Sequence, residues 1–165
     1  MGKKSIYFIA EGAIIAAVYV VLTMVFAPIS FKEIQVRISE ALTILPYFSL
    51  SAVPGLFVGC LIANIIGGSI MPDIIFGSLA TLIGAVFTRL LRKKSPFLAP
   101  VPPIVSNMVI IPFVLRYGYG VPLAIPLMML TVGVGELISA GVLGMILLKI
   151  LEKNKKAIFK AHVQE

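Results

Sequence analysis

Glu136 and Asn107 are the residues of this 165-residue chain best placed to do binding chemistry, because each sits deep inside a long apolar run. Polar groups in such surroundings are costly unless they meet a partner or a wet cavity. Asn64 lies within another apolar run, while Asp73 and Glu40 stand at the start of two more, and Arg37 precedes Glu40 by one helical turn. These six residues predict a polar pocket open on one side. Glu136 and Asn107 form its floor, Asn64, Asp73, Arg37 and Glu40 its rim, and the polar connection 30–37 its lid. Carboxylates and amides accept hydrogen bonds, so such a pocket suits a small molecule rich in N–H donors or carrying a positive charge. Each residue also has a plainer reading. Asp73 fits a helix-start carboxylate, Glu40 an ion pair with Arg37, and the two asparagines bridges between helices. Glu11 reads as a capping or snorkelling group.

Other chemistries lack raw material. Gly67, Gly68 and Ser69 resemble the end of a phosphate-binding loop, but the lysine that such a loop requires is missing. No nucleophile–base pair or set of metal ligands is spaced for catalysis, His162 stands alone in a polar tail, and the single Cys60 excludes an internal disulfide. The expectation is a non-enzyme without cofactor or metal. Energy for uphill transport must then come from partner subunits or a coupled ion.

The elements that position these residues follow from composition. Hydrophobic residues make up 59% of the chain and charged residues 13%, about half the share of charge usual in soluble domains. About 20 apolar residues are needed to cross a hydrocarbon core roughly 30 Å thick. Apolar runs at 8–29, 39–50, 53–70, 73–91, 102–115 and 125–151 predict one polytopic domain over 1–165. The fold class is an all-α integral membrane protein, a compact bundle of six transmembrane helices. The run at 39–50 is short and contains Pro46, and the run at 102–115 is expected to kink near Pro112. Glu136 falls about ten residues inside the last run, roughly 15 Å from its outer end.

Charge sets the orientation. Lys3, Lys4, Arg89, Arg92, Lys93, Lys94, Lys149, Lys153, Lys155, Lys156 and Lys160 fall on one side of a six-span arrangement, and only Lys32, Arg37 and Arg116 on the other. The positive-inside rule then predicts cytoplasmic termini. The same placement assigns the net charge of +7 to membrane flanks and argues against nucleic acid as a partner.

Small residues mark close packing. Gly55, Gly59, Ala63 and Gly67 recur every four residues, as do related stripes at Asp73, Gly77, Thr81, Gly84 and Thr88 and at Gly133, Glu136, Ala140 and Gly144. The first run has two small faces, one with Ala10, Ala13 and Ala17 and an adjoining one with Gly12 and Ala16. Two faces exceed what one neighbour needs. A partner protein is expected at one of them.

The stretch Ile34-Gln35-Val36-Arg37-Ile38-Ser39-Glu40-Ala41-Leu42-Thr43-Ile44-Leu45-Pro46 resembles the QueT family of queuosine-precursor transporters. The likeness extends to size, spans, the segment from Asn64 to Gly68 and that from Asp73 to Ala85. It implies a substrate-binding (S) component of an energy-coupling factor (ECF) importer in a bacterial cell membrane. Such a component takes a 7-deazaguanine, such as 7-aminomethyl-7-deazaguanine, from outside. A transmembrane coupling protein and two cytoplasmic ATPase subunits supply the energy. The family's docking pattern of small residues on the first span matches Ala13 and Ala17. Two other classes fit the residues alone: a solitary ion-coupled carrier using Glu136, and a structural subunit of a membrane complex.

Overall fold

The apolar runs fold as helices, and the computed structural model describes residues 2–30 and 36–154. Helix α1 spans Lys3–Val25 and is followed by a single turn, α2 (Ala27–Ser30). Next comes a 3-10 helix over Ile38–Tyr47, then α3 (Ala52–Ile66) and α4 (Met71–Leu91). Helix α5 (Val101–Phe113) continues as a π-helical segment, Val114–Gly118. Helix α6 (Ile125–Glu136) runs through a second π segment, Leu137–Leu143, into α7 (Gly144–Lys153). Prolines stand in the first turn of α4, α5 and α6, where a missing N–H costs nothing.

Four stretches among the described residues are long and apolar enough to cross a membrane: Lys4–Val25, Met71–Leu91, Pro96–Gly118 and Ile125–Lys153. The expected second and third spans are shorter than the sequence suggested. Helix α3 ends at Ile66, because Gly67 caps it and Gly68 follows with φ of 75°. The region expected as a span at 39–50 is a ten-residue 3-10 helix, about 20 Å long at roughly 2 Å per residue. Pro46 lacks the N–H that an α-turn needs, and the Thr43 hydroxyl binds the Glu40 carbonyl at 2.5 Å, a local bond that competes with α-helix. Near Pro112 the ladder widens, and the Tyr119 N–H reaches the Val114 carbonyl at 3.2 Å.

The helices pack in chain order: α1 on α3, α3 on α4, α4 on α5 and α5 on α6. The 3-10 helix is the hub, touching α1, α3, α4, α7 and the second π segment. Nearly every residue from Ser39 to Pro46 is buried. The Asp73–Thr88 stripe faces inward as expected, and so do Glu136, Ala140 and Gly144 of the last stripe. Gly67 departs from its stripe and is exposed at the helix end.

The first helix uses its two small faces differently. Gly12 and Ala16 are buried against α3, whereas Ala10, Ala13 and Ala17 are exposed. A Cβ added at Gly55 would lie 2.6 Å from the Gly12 carbonyl oxygen, inside contact distance with rigid backbone. Gly55→Ala is therefore expected to cost about 1–3 kcal/mol of stability, seen as a lower thermal midpoint of the purified protein. An unchanged midpoint would mean that α1 and α3 can separate without loss.

Candidate ligand chamber

The 3-10 geometry places side chains three apart above one another, so Glu40 and Thr43 share an edge, with Arg37 in extended backbone just before the helix. That edge meets α1. The Tyr19 phenol donates to Glu40 Oε1, and the Thr23 hydroxyl donates to the Tyr19 carbonyl at 2.9 Å and shares a hydrogen bond with Ser39 Oγ at 2.7 Å. All four side chains are essentially closed to solvent, Glu40 being 1% exposed.

From the α4 side, Asp73 enters in the first helical turn. Its Oδ2 accepts the Tyr119 hydroxyl at 2.9 Å and lies 4.0 Å from the Arg37 guanidinium. Partial burial pushes the Tyr119 hydroxyl up from its ordinary pKa, so it remains a donor. Burial by itself disfavours the charge on Arg37, but the surrounding acidic groups, Tyr19 and Cys60 ahead of Asp73 and Glu40, outweigh it and hold the guanidinium above its ordinary value. Asn64 of α3 donates to the Asp73 carbonyl at 3.4 Å and to Cys60 Sγ at 3.7 Å. Cys60 also accepts the Thr81 hydroxyl at 3.4 Å. Gly77 leaves room for this junction, since a Cβ there would stand 3.0 Å from Asp73 Oδ1 and 3.2 Å from Asn64 Nδ2.

The floor is built by α5 and α6. Asn107 Nδ2 donates to Glu136 Oε1 at 2.8 Å. Glu136 is the last residue of α6, and Ser139 follows in the π segment that packs on the 3-10 helix. Widened turns of this kind are rare and concentrate at functional sites. Glu40 and Arg37 both lie close enough for their charges to act on Glu136. Although no cation is near Glu136 in sequence, Arg37 reaches its neighbourhood in space.

The six residues expected from sequence thus form one buried cluster. Arg37 carries a charge shared among three carboxylates: the expected Arg37–Glu40 proximity exists, and the guanidinium also pairs with Asp73. Asp73 is more than a helix-start carboxylate, because it also ties α4 to the loop after α5 through Tyr119. The acceptors are only partly used: Glu40 Oε2, Glu136 Oε2 and Asn64 Oδ1 are buried without a hydrogen-bond partner among the described residues, as is Ser139 Oγ. Orphaned acceptors of this kind each cost about 1–3 kcal/mol unless something supplies a donor. An apolar groove lined by Phe76, Val109, Phe113 and Tyr117 lies between α4 and α5 and carries none of these groups.

Sequence reasoning missed Tyr19, Thr23, Ser39, Cys60, Tyr119 and Ser139. For Tyr19 and Thr23 a signal existed, since they extend the Gly12–Ala16 face by successive turns. The lid expected over 30–37 lies mostly outside the described residues, as do Lys32, Lys155, Lys156, Lys160 and His162.

Several membrane-length apolar helices packed around a buried, acceptor-rich centre make this a multi-pass membrane protein. The family profile described as QueT transporter matches residues 9–153. This chain belongs to that family, which places it in the bacterial cell membrane. The queuosine precursor transporter QueT of Lactococcus lactis subsp. cremoris (strain MG1363) is 38% identical over 85 residues, 50% of this chain and 50% of the relative. In that match the chain spans about half the length of the relative. No solved structure matches it.

Proposed function

We propose that the chain is the S component of an ECF-type importer and that its buried chamber binds a 7-deazaguanine, such as 7-aminomethyl-7-deazaguanine, taken from outside. The observation that carries this reading is the set of orphaned acceptors, Glu40 Oε2, Glu136 Oε2 and Asn64 Oδ1, gathered in one buried place. A guanine-like edge offers a ring N–H and an exocyclic amine to such acceptors, and an aminomethyl cation suits a cluster with more carboxylates than guanidinium groups. The name of the relative agrees with this ligand class. Uptake would be driven by a transmembrane coupling protein and two ATPase subunits, the former docking on the free Ala13 and Ala17 face.

Purified protein should be stabilised by 7-aminomethyl-7-deazaguanine. At 100 times the Kd the gain is about 2.7 kcal/mol, read as a rise in thermal midpoint. A bare purine without those donors should give little. Protein that binds nothing across a set of purines and deazapurines would point to a structural subunit. Gradient-driven uptake by the protein alone in vesicles would point to a solitary carrier.

The orientation proposed is six crossings with both termini in the cytoplasm. The described basic residues Arg92, Lys93, Lys94 and Lys153 lie at or beyond helix ends, with Lys149 one turn before the end of α7. Reporters fused to either terminus should both be active in the cytoplasm. Opposite locations would show that the 3-10 helix does not cross with its neighbours.

A further inference from the structure

Helix α1 contributes little to the chamber except at one point, and that point is a charged-group contact. Of its inward side chains among the described residues, Gly12 and Ala16 pack on α3, while Tyr19 donates to a carboxylate of the cluster. Tyr19 is fully buried, as large an aromatic as this bundle encloses. A tyrosine at such a place brings a single hydroxyl to a site where phenylalanine would pack equally well. The hydroxyl occupies Glu40 Oε1, and Oε2 is left without a partner in the described structure. With one oxygen held, the carboxylate plane and the aim of the other oxygen are set.

We propose that Tyr19 is a positioning residue of the chamber: acting through Glu40, it fixes the carboxylate so that Oε2 meets a donor on the ligand. The inference rests on the reading that the chamber binds a donor-rich heterocycle. It adds that the affinity depends on a residue of the helix whose opposite face carries Ala13 and Ala17. Thr23 lies one turn further along the same seam and bonds Ser39 rather than a carboxylate, so it serves as a control for mere attachment of α1 to the 3-10 helix.

The test is a double-mutant cycle on purified protein, with affinity for 7-aminomethyl-7-deazaguanine read by calorimetry and the thermal midpoint read without ligand. Tyr19→Phe should weaken binding about tenfold, the size of one charged-group hydrogen bond. In the Glu40→Gln background the same change should cost less than about twofold, because the group through which Tyr19 acts has lost its charge. Thr23→Val should lower the midpoint, and any effect on affinity should be the same in both backgrounds. Equal losses from Tyr19→Phe with and without Glu40→Gln would overturn the proposal and leave Tyr19 as packing. So would unchanged affinity in Tyr19→Phe. If Tyr19→Phe fails to fold, Glu40→Gln and Glu40→Asp still decide: both should weaken binding, and two variants that bind like the parent would overturn it. Absence of binding by the parent protein to any such heterocycle would instead remove the functional reading itself.

Discussion

Replacing Glu136 by glutamine is expected to leave the fold intact and weaken binding of 7-aminomethyl-7-deazaguanine by about 1.5–3 kcal/mol, the size of a lost charged hydrogen bond. The fold should survive because the bond from Asn107 Nδ2 goes to Oε1, and a glutamine oxygen can keep it. Oε2, buried and without a partner among the described residues, becomes an amide donor. A ligand offering N–H groups then meets another donor where an acceptor stood. Against a purine without those donors the two proteins should differ little. Glu40→Gln is expected to have a comparable effect, since Glu40 also presents an orphaned oxygen in a fully buried position. Calorimetric titration checks both. A Glu136→Gln protein that binds as tightly as the parent would make Glu136 a structural bridge to Asn107 and move the pocket elsewhere.

The second large effect is expected on uptake rather than on binding. Ala13→Leu or Ala17→Leu should abolish uptake in cells while the isolated variant keeps its ligand affinity and thermal midpoint. Both alanines are exposed on α1, whereas the neighbouring Gly12 and Ala16 are buried against α3. A leucine at position 13 or 17 therefore adds bulk outside the bundle, where it would hold off any helix that needs close backbone approach. Gly55→Ala acts on the other face of the same helix, and its expected result is the reverse: a loss of stability. Parallel loss of binding and uptake in Ala13→Leu would show that the exposed face supports the bundle and not a partner.

Residue order and composition decided much of this. Runs of apolar residues longer than a bilayer needs have no other stable use at this charge content, so the membrane class was legible from length and composition. Small residues every fourth position marked the inward stripes of α3 and α4, because only they let backbones touch. The cost of a buried carboxylate or amide singled out Glu136, Asn107 and Asn64 wherever they fell in the fold. What the sequence left open was which of the two small faces of α1 packs inside. It also left open how the region at 39–50 is wound, and which partners Arg37, Asp73 and Tyr19 find. Those choices depend on contacts far apart in the chain. Tyr19 and Glu40 are 21 residues apart, Asp73 and Tyr119 are 46, and Asn107 and Glu136 are 29. An apolar helix has no strong preference for which side it buries, because lipid and protein interior are almost equally apolar, so only the mutual fit of all the helices decides where each polar group ends.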